Sequence, residues 1–183
     1  MHTPNPNNFF VFDMDNTLIK TDKANNLAYT KALSSVLGIN YTLDNCKRFT
    51  RKELKDIFPY LPQTQIDEIV TRKELYFESF LTETELNLNL FELLKQLRNQ
   101  RCQTILLTNS HSGRAISLCN YYNLTKYFVL RFFREDCHGN KYSLLESLGF
   151  NLQKVVLFEN EESCSLEAIK CGIKMENIIK VDF

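Results

Sequence analysis

Three short apolar runs punctuate the chain, and each stops at polar residues able to do chemistry. Phe9–Phe12 leads into Asp13-Met14-Asp15-Asn16-Thr17, Ile105–Leu107 into Thr108-Asn109-Ser110, and Val155–Phe158 into Glu159-Asn160-Glu161-Glu162. Strands buried on both faces of a parallel sheet read as continuous apolar runs of this kind rather than as alternating ones. Tyr127–Phe133 and Ile178–Val181 are two further strand candidates. Helical spacing fills the gaps. Leu90, Leu93, Leu94 and Leu97 recur at i, i+3, i+4 and i+7, and Ser112 opens a stretch with Ala115, Ile116, Leu118 and Cys119 on one side. Tyr142–Leu148 and Ser163–Cys171 each run into a glycine, Gly149 and Gly172, placed to end a helix. Strand alternating with helix from about residue 88 onward predicts βαβ units and an α/β fold.

The alternation breaks between Lys20 and Glu85, where no convincing strand pattern is found. Leu27, Leu33, Val36 and Leu37 suggest a first helix. Leu54, Ile57 and Phe58 suggest a second ending near Pro59, and Ile66, Ile69, Val70, Phe77, Phe80 and Leu81 a longer third. The expected organisation is therefore a core from residues 1–19 and 86–183, with a helical insertion at 20–85 following the first strand directly.

Composition narrows the function classes. Lys plus Arg and Asp plus Glu each total 22 in 183 residues, and this formal neutrality argues against a nucleic-acid polymer as partner. The longest apolar runs are far short of the roughly 20 residues that span a membrane. Residues 1–8 lack the basic and apolar regions of a signal peptide, reading instead as a short frayed tail. The six cysteines, Cys46, Cys102, Cys119, Cys137, Cys164 and Cys171, form no C-x-x-C pair. The expectation is reduced cysteines in a cytoplasmic protein.

In an open α/β sheet, ligands bind outside the carboxyl ends of the strands. Asp13, Thr108 and the Glu159–Glu162 cluster should therefore converge. Asp13 and Asp15 share a face if the backbone stays extended, with Met14 turned away. Two such carboxylates suit a hard divalent cation, or divide nucleophile and acid–base duties. Singly, each feature has a plainer reading: a solvated turn for the Asp pair, a helix cap for Thr108, a surface charge for Lys141, and a helix N-terminus favouring negative charge for the acidic run.

Together, Phe12-Asp13-Met14-Asp15-Asn16-Thr17-Leu18, the strand ending at Thr108-Asn109, and Lys141 in Gly139-Asn140-Lys141-Tyr142 resemble the haloacid dehalogenase-like superfamily over essentially the whole chain. Its first motif is D-x-D-x-T. Asn16 stands where many members have glycine, and tolerates a positive φ better than most residues. The resemblance implies a Rossmann-like parallel sheet flanked by helices, with the insertion as a small α-helical cap. It further implies phosphoryl transfer through an aspartyl-phosphate. Asp13 would be the nucleophile, Asp15 the acid–base, Thr108 and the Asn109 amide the groups holding the transferring oxygens, and Lys141 the neutralising cation. A carboxylic acid at position 15 points to the phosphatase and phosphomutase branches.

The same resemblance implies Mg²⁺, held by Asp13, Asp15 and a fourth motif after the Val155–Phe158 strand. Matching Phe158-Glu159-Asn160 to a Phe-Glu-Asp subgroup puts Asn160 where a metal-binding Asp belongs. A neutral amide there should weaken the site, with Glu159 or Glu161 available to compensate. Lys47, Arg51 and Lys55 recur at i, i+4 and i+8 in or near the second insertion helix, and Arg51 and Lys52 are candidate contacts for a second substrate anion. The leading expectation is a Mg²⁺-dependent phosphatase of a small phosphorylated metabolite. A phosphoglucomutase-like enzyme, or a weakened relative that binds phosphorylated ligands or a protein, are the alternatives.

Overall fold

The computed structural model of the protein describes residue 5 and residues 7–43 and 47–183. Cys46 and most of the N-terminal segment expected to fray (residues 1–4 and 6) lie outside the described residues. The strands are β1 Phe9–Phe12, β2 Ile19–Lys20, β3 Glu85–Leu86, β4 Gln103–Leu107, β5 Leu130–Phe132, β6 Val155–Glu159 and β7 Ile178–Lys180. The α-helices are α1 Asp22–Leu37, α2 Arg51–Ile57, α3 Gln63–Phe77, α4 Leu88–Asn99, α5 Ser112–Tyr121, α6 Lys141–Ser147 and α7 Glu162–Lys170. Two compact units divide the chain, Met1–Ile19 with Leu86–Phe183, and Lys20–Glu85.

The first unit is built on a five-stranded parallel sheet in the order β5-β4-β1-β6-β7. Its centre is where the continuous apolar runs fall. β1 is buried from Phe10 onward, and β6 over its whole length. Side chains alternate between the faces. Val11, Ile105, Leu107, Val155 and Leu157 pack with Tyr142 and Leu145 of α6 and Ala168 of α7. On the other face Phe12 stacks on Phe158 at 4.5 Å between ring centroids. Each such aliphatic or aromatic side chain removed from water contributes about 1.5–3 kcal/mol.

Three expectations shift in detail. Of the run Tyr127–Phe133, only Leu130–Phe132 pairs, because Thr125–Tyr127 forms a 3₁₀ turn stabilised by Tyr127 N–H donating to Leu124 O. The insertion carries one residue each of β2 and β3, which form a separate two-stranded sheet; pairs of two residues are too short to leave a pattern. The stripe Lys47, Arg51, Lys55 does not share one helix. Thr50 caps α2 through a reciprocal pair with Glu53, which starts the helix at Arg51 and leaves Lys47 outside.

The second unit packs Tyr29, Ala32 and Leu33 of α1 against Ile66 and Ile69 of α3, with Leu43, Phe49 and Leu54 completing the core. Two buried asparagines of α1 fix the loop before α2. Asn25 donates to Phe49 O at 2.8 Å and Asn26 to Lys47 O at 2.7 Å, while Phe49 N–H donates to Asn26 Oδ1 at 2.9 Å. The five described cysteines are free thiols. Among the described residues no helix is long and apolar enough to cross a membrane.

Candidate active site

Strand register sets the site. Phe12 lies opposite Leu106 of β4 and Phe158 of β6, so the three central strands end level and Asp13, Leu107 and Glu159 follow side by side. Asp13 N–H donates to Phe158 O at 3.0 Å, carrying the ladder one residue further. The chain then turns sharply. Asn16 adopts φ 57°, and Leu18 and Ile19 N–H groups both donate back to Met14 O. Asparagine takes that left-handed conformation at little cost. Met14 is fully buried, while Asp15 is only partly so.

Lys141 opens α6, whose first turn is capped by the Asn140 side chain accepting from Tyr142 N–H at 2.8 Å. That cap places the Lys141 ammonium, 2% exposed, between two carboxylates. It donates to Asp13 Oδ1 and to Glu159 Oε2, each at 2.8 Å. Glu159 is saturated. Its Oε2 also accepts from the Tyr142 hydroxyl at 2.9 Å, and its Oε1 from the Asn160 and Glu161 N–H groups at 3.0 and 3.1 Å. Burial opposes the charge on Lys141, yet the two carboxylates outweigh it and hold the ammonium well above its ordinary range. Asp13 shares that cation with Glu159. Burial, offset by Lys141 but reinforced by the charges of Glu159 and Asp15, pushes the Asp13 carboxyl up to about 7.

The other Asp13 oxygen faces Thr17. The Thr17 hydroxyl lies 3.0 Å from Asp13 Oδ2 and 2.9 Å from Asn160 Oδ1. One hydroxyl carries one proton, so it donates to one of these two acceptors at a time. Asp15 is held from α5 and the loop before it. The Arg114 guanidinium, its side chain 3% exposed, bonds Asp15 Oδ1, and the Ser110 hydroxyl donates to Asp15 Oδ2. Ser110 N–H donates in turn to Thr108 Oγ1 at 3.1 Å. Two networks result: Asp13, Lys141 and Glu159 are bonded directly and reach Asn160 through Thr17, while Asp15 is linked to Thr108 through Ser110, and the exposed Asn109 follows Thr108.

Thr17, Ser110, Arg114 and Tyr142 carry no role that sequence alone assigns. Ser110 lies in the loop before α5 and Arg114 on α5 itself, so no single sequence period pairs them. Other candidates sit elsewhere. Arg51 is bound to Asp67 within the helical unit, and Lys52 is exposed on the same helix. Glu161 is exposed, with its carboxylate 3.6 Å from the Cys164 thiol.

Mg²⁺ takes oxygen ligands, commonly one or two carboxylates completed by water and substrate phosphate. Among the described residues no three His, Cys, Asp or Glu side chains gather as a metal-binding group. Asp13, Asp15 and the Asn160 amide offer oxygens of the kind such an ion takes, Asp13 and Asn160 both within hydrogen-bond reach of the Thr17 hydroxyl. Glu159 does not fit that role, because four hydrogen bonds already occupy its two oxygens. It is instead the second carboxylate bonded to Lys141.

Comparisons with known proteins show the family and the fold. The profile of the haloacid dehalogenase-like hydrolase family matches residues 10–178, while no curated protein matches the chain. CbbY from Rhodobacter sphaeroides in complex with phosphate superposes with a TM-score of 0.78 at 16% identity, over 96% of this chain and 86% of that one. It has also been solved with xylulose-(1,5)bisphosphate. A haloacid dehalogenase-like family protein from Streptococcus pneumoniae gives 0.71 at 17%, covering 91% and 82%. A subfamily IA hydrolase from Geobacter sulfurreducens gives 0.69 at 15%, covering 94% and 86%.

Proposed function

The chain belongs to the haloacid dehalogenase-like hydrolase family, and we propose that within it the protein is a phosphatase of small phosphomonoesters working through an aspartyl-phosphate on Asp13. The observation that carries this reading is the buried Lys141 ammonium bonded to Asp13 at the end of β1, 2.8 Å away, with Asp15 two residues on. The phosphate and bisphosphate complexes of the structurally similar CbbY support a phosphorylated ligand.

The chemistry follows from the side chains. An Asp13 oxygen attacks phosphorus, the bond from phosphorus to the ester oxygen breaks, and Asp15 gives its proton to the departing alkoxide. Water then attacks the phosphorus, Asp15 takes a proton from it, and the bond to Asp13 breaks to release inorganic phosphate. The Arg114 guanidinium and the Ser110 hydroxyl hold the Asp15 carboxyl group in place for both proton transfers. Thr108, the Asn109 N–H and Lys141 supply donors and positive charge to the transferring oxygens, the largest kind of contribution in phosphoryl transfer. Mg²⁺ held by Asp13, Asp15 and Asn160 would add positive charge against those oxygens. The helical unit, Lys20–Glu85, is read as the cap that selects the leaving group.

Turnover of a phosphometabolite panel tests the proposal, with released phosphate as the readout. Metal-stimulated hydrolysis of at least one member is expected. Phosphate binding without turnover of any member would contradict the proposal and favour a binding protein.

Two further outcomes follow from the geometry. Asn160→Asp is expected to tighten Mg²⁺ by on the order of tenfold, about 1.4 kcal/mol, through the added ligand charge. Calorimetric titration of the metal checks this, and unchanged affinity would place residue 160 outside the ligand set. The acid side of the kcat/KM profile should fall away as Asp13 takes up its proton near pH 7. Glu159 is one of the charges raising that value, so Glu159→Gln is expected to move the acid limb to lower pH. A limb that stays in place would remove Asp13 as the group whose ionisation controls the rate.

A further inference from the structure

The α/β unit contains a cleft of about 470 Å³ lined by Asn109, Arg134, Cys137 and Gly139. That volume falls within the roughly 300–1,000 Å³ usual for small-ligand sites. It borders the machinery just described, since Asn109 follows Thr108 and Gly139 lies two residues before Lys141. Arg134 is the single charged residue in the lining, and among the described residues no carboxylate pairs with it.

Its neighbours hold it in place instead. Arg134 N–H donates to Ser110 O at 3.1 Å, tying the turn to the loop that carries Thr108. An Arg134 guanidinium nitrogen lies 3.4 Å from His111 Nε2. Arginine only donates, so Nε2 is the acceptor there and the ring proton sits on Nδ1. Nδ1 donates to Glu135 Oε1 at 2.8 Å, and Glu135 Oε2 accepts from Ser112 N–H at 3.0 Å. Glu135 is thereby occupied with His111 and α5, while most of the Arg134 fork remains for a ligand. Arg51, the arginine singled out from sequence for a substrate anion, is already bonded to Asp67.

We propose that this cleft is the subsite for a second anionic group of the substrate, recognised by Arg134 and oriented by His111. The substrate class is then a phosphomonoester bearing a carboxylate or another phosphate, the planar or multidentate anions that a guanidinium fork matches. The proposal rests on the phosphatase reading and narrows it.

The test compares p-nitrophenyl phosphate, which has no second anion, with 2-phosphoglycolate and fructose 1,6-bisphosphate. For each anion-bearing compound, the ratio of its kcat/KM to that of p-nitrophenyl phosphate is the readout. Arg134→Ala is expected to lower at least one ratio by about 10- to 100-fold, the worth of hydrogen bonds to a charged group. The loss should appear in KM, and Arg134→Lys should restore part of it. The compound whose ratio falls further identifies the anion as carboxylate or phosphate. Ratios unchanged in Arg134→Ala would overturn the proposal. Calorimetric binding of 2-phosphoglycolate, fructose 1,6-bisphosphate and inorganic phosphate to wild type and Arg134→Ala measures the same discrimination without turnover. Absence of hydrolysis therefore counts against the phosphatase reading alone, whereas equal loss of affinity for all three ligands counts against the subsite.

Discussion

Asp13→Asn is expected to lower kcat/KM for p-nitrophenyl phosphate by roughly 10⁴-fold or more while leaving the fold intact. The size follows from removing a nucleophile: an amide oxygen cannot form the covalent intermediate, and the remaining donors only position substrate. The intact fold follows from the surroundings. Asn keeps the shape of Asp, its oxygen can still accept from Lys141, and Glu159 remains to pair with the buried ammonium. Burial already drives Asp13 toward its neutral form, so an uncharged side chain suits the site. A melting temperature within about 4 °C of wild type, about 1 kcal/mol for a chain of this size, is the expected control. Activity retained to within tenfold would contradict the assignment.

Lys141→Met should damage both activity and stability. Methionine approximates the length of lysine but leaves the Asp13 and Glu159 carboxylates buried and facing each other with no cation between them. Breaking a buried pair by removing one partner costs about 3–5 kcal/mol, or roughly 6–20 °C in melting temperature at this chain length. Loss of the charge that offsets the phosphoryl oxygens should lower kcat by about 10²–10³-fold in the protein that remains folded. The stability deficit should shrink as the pH falls, because protonating the stranded carboxylates relieves their repulsion. Thermal melts followed by circular dichroism at several pH values measure this. A variant as stable as wild type at neutral pH would show that Lys141 is not the cation balancing the site.

The contrast between these variants reflects how the site is encoded. Asp13, Thr108 and Glu159 are legible because each follows a continuous apolar run, and parallel strands in register bring their carboxyl ends level. The clamp on Asp15 is not. Its donors, Ser110 and Arg114, lie 95 and 99 residues away in sequence, one in the loop before α5 and one on it, and no local pattern ties either to Asp15. Glu159 illustrates a different limit. Its position suggests a metal ligand, but side-chain direction turns both oxygens to Lys141, Tyr142 and two backbone N–H groups. In α1 the apolar pattern is thin because the helix buries alanines and the paired Asn25 and Asn26 rather than a leucine stripe. Polar burial of that kind becomes readable only when the loop it fastens is seen.

The most direct test of the covalent mechanism is peptide mapping by mass spectrometry after rapid acid quench during turnover of p-nitrophenyl phosphate. One phosphoryl group is expected on the peptide containing Asp13, lost on treatment with hydroxylamine as an acyl phosphate should be, and absent from Asp13→Asn. Sustained turnover with the phosphoryl group on another residue would contradict the mechanism.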